Sequence, residues 1–242
     1  MIKIYKSELL RNAGFENHGF SSGLNFSFDA GETQETVLAN MAAFKKHVNT
    51  QLPLAWLKQV HGSDFVEAGD LVRQNKNTWK TSAQTKGDAI ISDDDRALLA
   101  VKTADCVPVL LACPSSKIIA AIHAGWRGTA KGIIRNTIKK MISMGASTGK
   151  LLAAIGPCIC LKCYEVDEDV ARNFPESSDP VKGKPGKFLL DMGLAVEVSL
   201  IGAGLTTKNI DRIGECTCCN KELFSHRRDG EKCGRQLAFI SQ

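Results

Sequence analysis

The 242-residue sequence lacks a continuous apolar run near the ~20 residues of a membrane-spanning helix, because Lys102, Asp105, Pro108 and Pro114 interrupt its most apolar stretches. Its first residues, MIKIYKSELLRNAG, lack the apolar centre and small-residue cleavage site of an export signal. These absences point to a soluble, cytoplasmic protein. Histidine is scarce, at five residues, too few for the imidazole clusters of a multicopper oxidase. The phosphate-loop pattern G-x4-G-K-[ST] and the dinucleotide pattern G-x-G-x-x-G are both missing. No His is followed two places on by Glu, which removes the H-x-E…P-C-x-x-C architecture of the zinc deaminases although Pro157-Cys158 is present. No dense basic stripe or recognisable module marks a nucleic-acid binder.

What is present is an ordinary globular composition, with 43% hydrophobic and 24% charged residues. At roughly 150 residues per domain, the length suits one large domain or two small ones. The 31 Lys and Arg against 26 Asp and Glu leave a mild +5 charge, read mainly as a solvated surface. Nine cysteines is a high count. Without an export signal they are expected as reduced thiols, some of them ligands or nucleophiles, rather than as a disulfide framework.

Helical spacing joins Val37, Leu38, Met41, Phe44 and Val48, and likewise Ile133, Ile134, Thr137, Ile138, Met141 and Ile142. It also joins Val166, Val170 and Phe174, and Leu194, Val198, Ile201 and Leu205, with Asp191 as the cap of the last segment. Short apolar runs predict buried strands at 54–60, 89–92, 98–101, 107–112, 118–122 and 151–155. Polar stretches at 73–86 and 175–187 read as loops. Several strands precede a helix, which favours a mixed α/β layered domain over a regular doubly wound sheet.

Polar residues of a few types end three of these apolar runs. LAWLKQVHG reaches His61, Asp105 and Cys106 separate two runs in LLAVKTADCVPVLLA, and IIAAIHAGWRG places His123 ahead of a helix starting near Thr129. Two imidazoles and a thiolate suit Zn²⁺ and leave a fourth position open. The same residues also fit a metal-free reading, with Cys106 a nucleophile activated by His123 or His61 and Asp105 or another carboxylate orienting the imidazole. GWRG offers backbone N–H groups, a helix N-terminus and Arg127 to an anion. His18 and His47 are weaker candidates, and His226 stands beside Arg227 and Arg228. Cys158, Cys160 and Cys163, and Cys216, Cys218 and Cys219, resemble ligand clusters, with Cys233 to spare. No paired knuckles stand at finger spacing, so these thiols are expected mainly as small hydrophobes.

The motifs KQVHG (58–62), GDAIIS (87–92), KTADCVPVLL (102–111), AAIHAGWRGT (120–129), AIGPCI (154–159) with CYEV (163–166), and FSHRRDG with GRQ (224–236) together resemble the YfiH/LACC-type family. Members of that family are described as laccase-domain polyphenol oxidases and as purine nucleoside phosphorylases. The resemblance implies one α/β domain over 1–242, of the type shared with a toxin deamidase, and a homodimer. It implies a metal triad of His61, Cys106 and His123, with zinc favoured over copper. It implies phosphorolysis of adenosine, inosine and methylthioadenosine, and deamination of adenosine. Asn25 falls in the ligand-side segment. Lys58, Arg127 and Arg228 are the candidates for substrate and phosphate, Asp105 joins the catalytic set, and Trp126 or Phe224 could stack on the base. Asp88, Asp105 and Glu165 are the open choices for the proton donor. The alternatives are a Cys106/His hydrolase of an amide or cell-wall precursor, a copper-dependent phenol oxidase, and a non-enzymatic binder.

Overall fold

The strands are apolar at consecutive positions because the fold covers them on both faces. A computed structural model describes residues 1–28, 32–69 and 84–242. In chain order these form β1 (Lys3–Tyr5), α1 (Glu8–Asn12), β2 (His18–Ser22), α2 (Gln34–His47), β3 (Leu54–Ala55), β4 (Phe65–Glu67), β5 (Ala89–Ser92), β6 (Leu98–Thr103), β7 (Val107–Ala112) and β8 (Ile119–Ala124). There follow α3 (Trp126–Ala130), α4 (Ile133–Ser143), β9 (Leu152–Ile155), β10 (Glu165–Asp167), α5 (Glu168–Ala171), β11 (Ser178–Pro180), β12 (Lys187–Leu190), α6 (Met192–Gly202), β13 (Ile210–Arg212), α7 (His226–Asp229) and β14 (Gln236–Ile240). No helix among the described residues is long and apolar enough to cross a membrane.

Two mixed sheets carry the architecture, in the orders β1-β2-β14-β6-β3 and β13-β9-β7-β8-β5-β4, and a small antiparallel sheet runs β10-β12-β11. Side chains alternate across each strand with period two. In β7, Val107, Val109 and Leu111 face one apolar cluster with Ile134, Ile138 and Val196 from α4 and α6. Leu110 and Ala112 face a second cluster with Leu99, Val101, Ala238 and Ile240 from the other sheet. Leu98, Ala100, Leu237 and Phe239 turn the opposite way, onto Val37, Met41 and Phe44 of α2. The layers therefore run helix, sheet, sheet, helix, and the fold is a mixed α/β one. The 89–92 and 107–112 strands match the sequence expectation, and those at 98–101, 118–122 and 151–155 differ at their ends.

Other expectations need correction. The 54–60 run is strand only at Leu54–Ala55; beyond it the chain leaves the sheet and makes one bridge, Lys58 to Lys86. The helix after His123 starts at Trp126, not near Thr129, and left-handed Gly132 (φ 84°) separates α3 from α4. Val166 lies in β10 rather than in a helix with Val170. Asp191 does cap α6, accepting from Leu194 N–H at 2.9 Å. The helix nevertheless buries Met192, Ala195, Val196 and Leu200 and leaves Ile201 exposed, because it is apolar nearly all round and its spacing alone does not choose a face. The 175–187 loop contains β11, paired to β12. The 73–86 loop lies outside the described residues except for 84–86.

The two sheets approach closely where β9 ends. A Cβ on Gly156 would lie 2.1 Å from the ring of Phe20, a buried residue of β2. Gly156→Ala forces that ring out of a packed interior, at a cost of about 1–3 kcal/mol. Thermal denaturation should show a fall in Tm of roughly 2–4 °C per kcal/mol; an unchanged Tm contradicts this packing.

Candidate metal centre

Asp88, the residue before β5, is fully buried, and a buried carboxylate needs several hydrogen bonds. It takes three from the backbone of one turn: Val60 N–H (3.2 Å) and Gly62 N–H (2.7 Å) donate to Oδ2, and His61 N–H donates to Oδ1 at 3.0 Å. This wrapping holds His61 in the left-handed region at φ 58°, where a non-glycine residue is uncommon. The fourth partner is His123, whose Nδ1 lies 2.8 Å from Asp88 Oδ1. His123 sits near the end of β8, and its N–H donates to the Asp88 carbonyl at 2.7 Å. One carboxylate thus fixes both histidines.

Cys106 is the residue before β7, and it reaches the same spot from a second turn. Asp105 adopts φ 90° and is held on both oxygens, by the Thr217 hydroxyl (2.6 Å) and the Arg227 N–H (2.6 Å). Gln59 joins the His61 segment to the end of β6 through paired bonds with the Lys102 backbone, at 2.7 and 2.8 Å. The His61 and His123 rings meet edge to face at 4.8 Å between centroids. The ligand-type atoms of His61, Cys106 and His123 all lie within 4.8 Å of one another.

Gly125 forms the floor of this cluster. A Cβ there would come within 3.2 Å of Cys106 Sγ and 3.2 Å of the His61 ring. Burial would raise the Cys106 thiol, but the His123 charge and hydrogen bonds from His123 and His61 outweigh it and draw the thiol down to about 6. Burial would likewise lower His123, yet the Cys106 thiolate and Asp88 push it up to about 9. Asp88 is held low: desolvation opposes ionisation, and the bonds from His123 and the 60–62 backbone overcome it.

The arrangement fits a transition metal by its donor chemistry. Two imidazoles and a half-buried thiolate are a zinc-type set, and with Nδ1 committed to Asp88, His123 has Nε2 left for a metal. His18 and His47 take no part. His18 is buried and accepts from Ser7 N–H at 3.0 Å, while His47 is exposed on the last turn of α2.

The structure distributes the remaining candidates differently from expectation. The carboxylate that orients an imidazole is Asp88; Asp105 instead braces the Cys106 turn. Arg228 has its guanidinium filled by the carbonyls of Thr217, Cys218, Asn220 and Leu223 and by Asp229, which leaves no donor for phosphate. Asn25 directs Oδ1 to the backbone N–H groups of Ser27 and Arg235, both at 2.9 Å, so it closes a turn. Arg127 is exposed, 4.5 Å from the Trp126 ring, and α3 is too short at five residues to supply a helix-dipole site. Lys58 is exposed three residues before His61.

Glu165 pairs with Lys184 at 2.7 Å, which holds its carboxyl low and makes it a poor proton donor. Sequence reasoning missed Tyr164, whose phenol burial and the Cys106 and Asp105 charges push up to about 12; its place in CYEV was the available signal. A cavity of about 480 Å³ is lined by Lys221, Leu223, Phe224 and Arg228 among others. It includes none of the three donors.

The family model for "Multi-copper polyphenol oxidoreductase laccase" matches residues 8–242, and the chain belongs to this YfiH/LACC family. A purine nucleoside phosphorylase of Deinococcus radiodurans is 35% identical over 231 residues, 94% of this chain and 85% of that protein. Adenosine deaminase RL5, from an unknown prokaryotic organism, is 36% identical over 227 residues, 90% of this chain and 87% of that protein. The crystal structure of YlmD from Geobacillus stearothermophilus superposes with a TM-score of 0.84 at 29% identity, covering 93% of this chain and 91% of that one.

Two outcomes follow. Asp88→Asn replaces one acceptor oxygen with an amide N–H₂ facing backbone donors, so metal affinity measured by chelator competition should fall about 10–100-fold. Unaltered affinity would remove Asp88 from the centre. In metal-free protein the Cys106 thiol is protonated below its depressed pKa and ionised above it. Thiolate absorbance at Cys106 should therefore rise with a midpoint near pH 6, absent in Cys106→Ala; a midpoint at the ordinary cysteine value would contradict the His123 pairing.

Proposed function

We propose that the chain is a zinc-dependent purine nucleoside enzyme. It cleaves adenosine, inosine and S-methyl-5'-thioadenosine with phosphate, to the free base and the ribose or methylthioribose 1-phosphate, and it also deaminates adenosine. The observation that carries this reading is the convergence of His61, Cys106 and His123 on one point under the control of Asp88, in a chain whose relatives bear the names phosphorylase and deaminase.

His61, Cys106 and His123 would hold the ion. A zinc ion so held supplies Lewis acidity at an open coordination position. The chain's own residues do the rest. Asp88 keeps the Nδ1 proton of His123 and so fixes which nitrogen faces the centre. Asp105, braced by Thr217 and Arg227, holds the Cys106 turn. Arg127 and Lys58 are exposed cations near the site and attract phosphate, taking the role Arg228 has no donors to fill. Trp126 and Phe224 offer rings to a purine base. Tyr164, neutral at physiological pH, can donate a hydrogen bond. The protein acts on small molecules, as a cytoplasmic homodimer, without nucleic acid or membrane.

A second reading has its own observation. Cys106, His123 and Asp88 form a thiol–imidazole–carboxylate chain of the kind that activates a nucleophilic cysteine in hydrolases. Copper oxidation of phenols has less support, since only two of the five imidazoles meet at the centre and a multicopper cluster needs more.

Purified protein incubated with adenosine, with and without phosphate, separates these readings by chromatography. Phosphate-dependent adenine, or inosine without phosphate, is the expected product. Cys106→Ala should lose both the centre's zinc and turnover. Zinc retained there with activity gone would assign Cys106 as a nucleophile, and no turnover of any of the three nucleosides by zinc-loaded protein would overturn the proposal.

A further inference from the structure

Four cysteines outside the centre form a second cluster. Cys160-Leu-Lys-Cys163 and Cys216-Thr-Cys-Cys219 are each a C-x2-C pair, separated by too much chain to read as a local finger. The fold brings them together. Cys158 and Cys216 form a parallel bridge, with Cys158 N–H donating to the Glu215 carbonyl and Thr217 N–H donating to the Cys158 carbonyl, at 3.2 and 3.1 Å. Each pair then turns back on itself: Cys163 N–H donates to the Cys160 carbonyl at 3.0 Å, and Asn220 N–H to the Cys216 carbonyl at 2.9 Å.

The result is four sulfurs all within 4.8 Å of one another. Cys163 Sγ and Cys219 Sγ are 3.4 Å apart, and all four thiols are free. A tetrahedral zinc with Zn–S bonds of about 2.3 Å has S–S edges of about 3.8 Å. The spacing suits ligands around one ion, whereas a disulfide needs about 2.05 Å. Cys216 Sγ also accepts two backbone N–H groups, from Cys160 at 3.3 Å and Cys219 at 3.4 Å. Such donors favour a thiolate, the form that binds metal.

We propose that Cys160, Cys163, Cys216 and Cys219 hold a structural zinc ion, separate from the centre at His61, Cys106 and His123. Four thiolates fill a zinc coordination shell and leave no open position, so the site serves folding rather than chemistry. Its place in the fold says what it steadies. Thr217 lies between two of the ligands, and its hydroxyl holds Asp105, the neighbour of Cys106. Arg228 gathers the Thr217 and Cys218 carbonyls into the same knot. The ion ties the 160–163 and 216–219 turns into one anchor beneath the Cys106 turn.

Native mass spectrometry and elemental analysis of the whole protein test this. Wild type should carry about two zinc ions per chain, and His61→Ala/Cys106→Ala about one. In that variant the four cysteines should resist alkylation until a strong chelator is added. Cys163→Ser/Cys219→Ser should lose the second ion and melt at a lower temperature. If that variant fails to fold, the His61→Ala/Cys106→Ala result still decides. A metal-free His61→Ala/Cys106→Ala protein, immediate alkylation of the four thiols, their recovery as disulfides, or a coloured iron-thiolate protein would each overturn the zinc assignment.

Discussion

The candidate centre depends on burying one carboxylate. Asp88 has no exposed surface, and an ionised carboxylate in that position is stable only if protein donors replace its hydration. The chain supplies four: three consecutive backbone N–H groups of residues 60–62 and the Nδ1 side of His123. The strain at His61 follows from this demand, since the turn must curl into the left-handed region for all three N–H groups to point inward. Folding and ligand placement are the same event here. The hydrogen bonds that make the charge tolerable are the ones that aim both imidazoles at Cys106.

The surrounding fold makes that aim rigid. Asp88, Cys106 and His123 lie at one end of the six-stranded sheet, beside β5, β7 and β8, which are packed on both faces by the second sheet and by α4 and α6. Close-packed layers leave little freedom at strand ends, and site residues set there inherit the precision of the sheet. Glycine completes the geometry. Gly125 leaves room for the three donors, and Gly128 lets α3 approach the Gly62 carbonyl, which a Cβ would meet at 2.5 Å.

Much of this was legible in the sequence. Strands buried on both faces produce uninterrupted apolar runs, so most of their positions could be read directly, as could His61, Cys106 and His123 at the breaks between runs. What local pattern could not carry was the direction of polar side chains. Asp88 and Asp105 look alike in sequence, each beside an apolar run, yet one orients imidazoles and the other braces a turn through Thr217 and Arg227. Arg228 reads as a phosphate ligand until its five donors are seen to be occupied by backbone carbonyls and the Asp229 carboxylate. The face of α6 was misread because an apolar helix gives no contrast between its sides. The two cysteine pairs stayed apart on paper because 53 positions separate Cys163 from Cys216, and only the alignment of the segments after β9 and β13 joins them.

The most direct test of the central claim is the protonation of His123 in zinc-loaded protein, read by long-range ¹H–¹⁵N NMR of the imidazole nitrogens. The account predicts a proton on Nδ1, held toward Asp88, and a bare Nε2 with the shift of a metal-bound nitrogen. A proton on Nε2, or on both nitrogens with zinc present, would contradict it, for His123 would then not be a ligand positioned by Asp88.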